Sequence, residues 1–110
     1  MHQASKIAQI VDEAFAAAKE AAAKKIADNP DTWYPCGFAW VNIKPARGPV
    51  VKYLKENGLG RTSMTGGFDI WNPSDNATQW MDAKYEGAKA FTEVLNKNLG
   101  VNARAQLRID

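Results

Sequence analysis

Val101-Asn-Ala-Arg-Ala-Gln-Leu-Arg-Ile-Asp110 alternates apolar and polar side chains almost without a break. A strand sends successive side chains to opposite faces, so this spacing predicts a strand whose Val101, Ala103, Ala105, Leu107 and Ile109 look into a core. Asn102, Arg104, Gln106 and Arg108 then share the reverse side. Residues 38–44 alternate in the same way, with Ala39, Val41 and Ile43 on one side and Phe38, Trp40, Asn42 and Lys44 on the other. Residues 68–72, Phe-Asp-Ile-Trp-Asn, read as a brief strand stopped by Pro73, adding Asp69 and Trp71 to the polar side. Three strands together predict one sheet face rich in Trp, Arg, Asn and Gln.

The segments between these strands carry the helical period. Residues 3–28 are rich in Ala, and Ile7, Val11, Ala14, Ala18 and Ala22 recur at spacings of three and four, widened by Ile10, Phe15 and Ile26. Asn29-Pro30 ends that helix. At about 1.5 Å per residue it reaches nearly 40 Å, so it either lies across one sheet or offers its outer end to another subunit. Pro49 opens a short helix to residue 57, with Val50, Val51 and Leu54 inward and Gly58 after its last turn. A third helix is expected over residues 77–98, capped from residues 74–76, with Met81, Tyr85, Ala88, Phe91 and Leu95 as its core stripe. Gly87 is placed for close approach to a neighbour, and Gly100 closes the helix. The predicted order is α-β-α-β-α-β. It gives an α+β two-layer sandwich over residues 1–110, a three-stranded sheet with its helices mainly on one face. The pattern leaves strand order open, with both a crossover through the short helix and an antiparallel arrangement allowed.

Composition narrows the function classes. With 110 residues, 45% apolar and 24% charged, the chain has the profile of one globular domain. A net charge of +2 does not suit a purely electrostatic nucleic-acid binder. No apolar run reaches the ~20 residues of a membrane span, and no signal-peptide centre is visible. Cys36 is the only cysteine, which excludes an internal disulfide, and the only histidine is His2. A cytoplasmic protein without cofactor or metal is expected. No nucleophile–base pair is evident, so catalysis is not expected either.

Candidate ligand residues follow from the polar face: Trp40, Asn42, Lys44, Asp69, Trp71, Arg104, Gln106 and Arg108. Indoles stack on planar rings, arginine grips phosphate or carboxylate, and Asn or Gln reads a base edge. A homo-oligomer interface is the competing use of the same face, since Trp and Arg are enriched there as well. Two loops extend the set. Lys44-Pro-Ala-Arg-Gly-Pro49 places Lys44 and Arg47 before a helix N-terminus, which attracts anions, although the P-loop pattern is absent. Gly60-Arg-Thr-Ser-Met-Thr-Gly-Gly67 carries Arg61 among glycines and hydroxyls, either as a flap or as a plain connection. Trp33, Tyr34 and Trp80 are candidates for the border of the face, and Cys36 reads as a small buried residue near a strand start. Asp75 and Asp82 fit capping or surface roles.

The run Trp33-Tyr-Pro-Cys-Gly-Phe-Ala-Trp-Val-Asn-Ile-Lys-Pro-Ala-Arg-Gly-Pro49, with Gly66-Gly67, Ile70-Trp-Asn-Pro73 and the ending Leu107-Arg-Ile-Asp110, resembles a family of small proteins encoded by tailed bacteriophages. The resemblance covers about residues 33–110 and carries over no catalytic residue. It implies a phage protein acting in a bacterial host. Phage proteins of this size include sponges that sequester the nucleotide signals of host defence. The combined expectation is a non-enzymatic homo-oligomer that binds a nucleotide-like molecule. The alternatives are a protein-interaction module using the Trp/Arg face and a single-stranded nucleic-acid binder.

Overall fold

The computed structural model describes residues 2–110, with side chains from Ser5 onward; Met1 and the side chain of His2 lie outside the described residues. The chain runs α1 (His2–Asp28), β1 (Gly37–Lys44), α2 (Pro49–Glu56), β2 (Arg61–Thr62), β3 (Phe68–Trp71), α3 (Met81–Leu99) and β4 (Asn102–Ile109). The fold is α+β, but the sheet has four strands, in the order β2-β3-β1-β4, and every pairing is antiparallel. The expected α-β-α-β-α-β order therefore gains one strand. β2 arises as the first arm of a hairpin with β3, whose turn closes where the Ser63 N–H donates to the Gly67 carbonyl at 2.9 Å. Two residues are too few to show a period, which is why the segment reads as loop.

Apolar stripes from helices and strands meet as expected. Ile7, Val11, Ala14, Ala18 and Ala22 of α1 are buried, as are Ala88, Phe91 and Leu95 of α3 and Val50, Val51 and Leu54 of α2. Apart from Ala22, these residues share one core with Ala39, Val41, Ile43, Phe68, Ile70 and Ala103 of the sheet. The apolar stripe of α1 is thus covered by its own chain as far as Ala22. Phe15 meets Phe91 edge to face at 4.8 Å, joining α1 to α3. Gly87 holds that junction tight, because a Cβ there would lie 2.7 Å from the Ser74 Cβ and 3.0 Å from the Ala18 carbonyl oxygen.

Two expectations need correction. α3 begins at Met81 rather than residue 77, and its N-cap position is Trp80, which makes no side-chain cap. Asn76 and Thr78 bond forward within the connection instead, accepting from the N–H groups of Thr78 (2.9 Å) and Trp80 (3.2 Å). Such turns use the same residue types as a helix cap. In β4, only Ala103 of the inward row is buried. Leu107 and Ile109 keep their expected parity but are 41% and 65% exposed, running past the cover that the helices give.

Candidate functional site

Register decides which side chains meet. Asn72 N–H donates to the Ala39 carbonyl (3.0 Å), so Ala39↔Asn72 is a hydrogen-bonded pair and the next pair, Trp40↔Trp71, is a non-hydrogen-bonded one. Side chains approach most closely at such pairs, and the two indoles stack at 5.6 Å with 12° between their planes. Phe38 joins them, its ring 5.5 Å from that of Trp71. Trp71 is 54% exposed.

Cations surround this aromatic group. Gln106 lies directly opposite Trp40 on β4, which makes Arg104 and Arg108 its diagonal neighbours. Arg61 lies opposite Asp69 and is the corresponding diagonal neighbour of Trp71. The guanidinium of Arg108 sits 5.4 Å from the Phe38 centroid, and the Lys84 ammonium is also 5.4 Å from it. Among the described residues, Lys44, Arg47, Arg61, Arg104 and Arg108 form no ion pair; the pairs present are Lys24–Asp28 and Lys89–Glu86. An open recess of about 480 Å³ lies between Arg61, Asp69, Trp71 and the Gly58 and Gly60 backbone.

Asn42 does not fit the ligand-contact role expected of it. It is buried, and its Nδ2 donates to Asp69 Oδ1 at 2.8 Å and to the Gly66 carbonyl at 3.0 Å. The hairpin turn at residues 63–67 folds onto the face at this point. Gly67 allows the contact: its φ is +81°, and a Cβ would lie 2.8 Å from both polar atoms of Asn42. Asn42 is a brace for the turn, and it engages Asp69 in the same way. Nothing in the sequence signals this, because the turn reaches Asn42 only in the folded chain.

Arg47 separates from the indoles. With Lys6 and Lys44 it lines a cleft of about 550 Å³ between the N-terminus of α2 and the end of α3. Lining it too are Asn98, Leu99 and Gly100, the carboxyl end of α3, whose partial negative charge opposes an anion. Trp80 is likewise no border residue: it is 3% exposed, its indole N–H finds no acceptor among the described residues, and Lys25 lies 5.7 Å from its ring. Trp33 and Tyr34 are exposed and pack on each other at 6.5 Å. Cys36 is half-buried, its thiol 3.7 Å from Gln79 Oε1. Phe38 and Lys84 are the additions to the site. Strand parity reveals the first, whereas the second depends on where α3 lies.

Trp40, Trp71, Phe38, Arg61, Arg104, Gln106 and Arg108 thus form one continuous surface, with Asp69 and Asn42 beneath the turn beside it. Chemically it offers π faces, guanidinium donors and one side-chain amide. Among the described residues no helix is long and apolar enough to cross a membrane. A scan against protein-family models and searches of curated proteins and of solved structures gave no match, so the surface itself carries the functional reading.

Proposed function

We propose that this protein binds a nucleotide-like small molecule on the open face of its sheet, without chemical conversion. The observation that carries the reading is the stacked Trp40–Trp71 pair with Arg61, Arg104 and Arg108 at its diagonals. A planar base stacks on the exposed indole of Trp71, which is worth ~1–3 kcal/mol per base in nucleic-acid complexes. The two indoles already fill one another's inner faces, so the base lies on the pair rather than between its members. Arg104 and Arg61 neutralise phosphate from either side, and Gln106 supplies an amide to a base edge. Tight retention without turnover suits sequestration. In this reading the chain is a tailed-phage protein that works as a homo-oligomer in the host cytoplasm and removes a nucleotide signal of host defence.

The group of three neighbouring aromatic rings favours one second reading, a single-stranded nucleic-acid platform. Phe38, Trp40 and Trp71 could carry successive bases of an oligonucleotide. Thermal melts against cyclic nucleotides, ADP-ribose, short oligonucleotides and buffer separate the two. A nucleotide at about 100 times its Kd adds about 2.7 kcal/mol, or roughly 10 °C for a chain of this length. An effect confined to oligonucleotides and steeply weakened by salt supports the platform instead. Absence of any nucleotide or oligonucleotide effect refutes both.

A further inference from the structure

The strand at the sheet's edge is half closed and half open, and the open half complements itself. β4 is an edge strand, whereas the opposite edge, β2, has only two residues. Asp110 N–H donates to the Cys36 carbonyl of the segment entering β1 (3.1 Å), so even-numbered residues of β4 turn their backbone groups inward and odd-numbered ones outward. At Ala103 the outward groups are occupied. Asn96 of α3 donates its Nδ2 to the Ala103 carbonyl and accepts the Ala103 N–H, both at 2.9 Å, as a neighbouring strand would. Beyond it, Ala105, Leu107 and Ile109 face outward with no strand beside them among the described residues, and Leu107 and Ile109 are the exposed apolar side chains of the same stretch. No proline, lysine or bulge protects this half of the edge.

We infer that the outer edge of β4, from Ala105 to Ile109, pairs antiparallel with the same edge of a second copy about a two-fold axis at Leu107. This register sets Leu107 against Leu107 of the second copy and Ala105 against its Ile109, which covers the apolar side chains on the helix side. On the open face it sets Gln106 opposite Arg108 and Arg104 opposite the carboxylate of Asp110. Neighbouring registers fail on the same residues. An axis at Ala105 makes Ala103 pair with Leu107 and expels Asn96. An axis at Gln106 opposes Arg104 to Arg108, and one at Arg108 opposes that arginine to itself; like charges directly opposite are unfavourable. The centred pairing joins the two sheets into one, so the aromatic and cationic faces of both copies run continuously across the axis. It is independent of which ligand, if any, that face takes.

Light scattering on the full chain without nucleotide tests it. The expected result is a mass twice the chain's 12.1 kDa at protomer concentrations of about 100 µM, falling on dilution. Leu107→Glu sets two carboxylates against each other at the axis and weakens the dimer about tenfold or more, while circular dichroism stays unchanged because Leu107 is outside the core. Arg104→Asp weakens it too, and Asp110→Arg in the same chain restores it. Leu107→Cys in a Cys36→Ser background cross-links on mild oxidation, whereas Thr62→Cys on the opposite edge does not. A monomer at every concentration overturns the proposal, as does a dimer indifferent to Leu107→Glu. Failure of the charge exchange to restore pairing overturns the register. Nucleotide melts on the Leu107→Glu variant report on the ligand face separately.

Discussion

Replacing Asn42 with alanine is expected to destabilise the protein by about 2–3 kcal/mol, although the residue sits on the face turned away from the helices. The magnitude comes from two hydrogen bonds, one at 2.8 Å to the Asp69 carboxylate and one at 3.0 Å to the Gly66 carbonyl. A bond to a charged group contributes ~1.5–3 kcal/mol and a neutral one ~0.5–1.5 kcal/mol. Asp69 is only half-buried, so water recovers part of the first and the sum falls toward its lower end. Unfolding entropy near 2.1 cal/mol/K per residue converts that loss into a drop of about 8–13 °C in Tm for a chain of 110 residues. Scanning calorimetry on the parent, Asn42→Ala and Gln106→Ala makes the comparison. Gln106 is exposed on the same face, and its removal should cost less than about 0.5 kcal/mol. Amide exchange at Gly66 and Gly67 should accelerate in the Asn42 variant alone, as the turn loses its brace. A Tm within about 2 °C of the parent, with unchanged exchange at the turn, would refute the bracing role and return Asn42 to the set of free ligand contacts.

Other expectations rest on separate contacts. Gly87→Ala should cost ~1–3 kcal/mol in chemical denaturation, because its Cβ meets the Ala18 carbonyl oxygen at 3.0 Å and α1 must move away from α3. Asn96→Ala frees both backbone groups of Ala103 and should lower stability by ~1–2 kcal/mol, with faster amide exchange at Ala103 as the local signature. Trp71→Ala should leave the fold intact, since the indole is more than half exposed, but loss of one stacking surface should raise the Kd for a nucleotide by roughly 5–150-fold in calorimetric titration.

Most of the architecture was legible because alternation survives folding. The parity of residues 38–44 and 101–109 correctly separated Ala39, Val41, Ile43 and Ala103 from Trp40, Lys44, Arg104 and Gln106. Parity tells which way a side chain points, not what lies there. Leu107 and Ile109 point to the helix side, yet the helices end short of them, and no local pattern encodes where that cover stops. Asn42 points to the open face, but a turn more than twenty residues away in sequence returns to cover it. α3 starts later than its pattern suggests because Ser74 and Asn76 are good cap formers and equally good turn formers, and the bridge between Cys36 and Trp80 decides between these roles. Arg61 was found as a loop cation. Only the pairing of β2 with β3 aligns it opposite Asp69.

The ligand face is tested most directly by two-dimensional ¹H–¹⁵N NMR during titration with a nucleotide that raises the melting temperature. The chain has four indole N–H resonances, and those of Trp40 and Trp71 should move together with the guanidinium signals of Arg61 and Arg104. Trp80, beneath Lys25, and Trp33, in the segment before β1, should stay still. Shifts confined instead to Lys6, Arg47 and the residues around Asn98 would place the ligand in the cleft at the end of α3 and contradict the account.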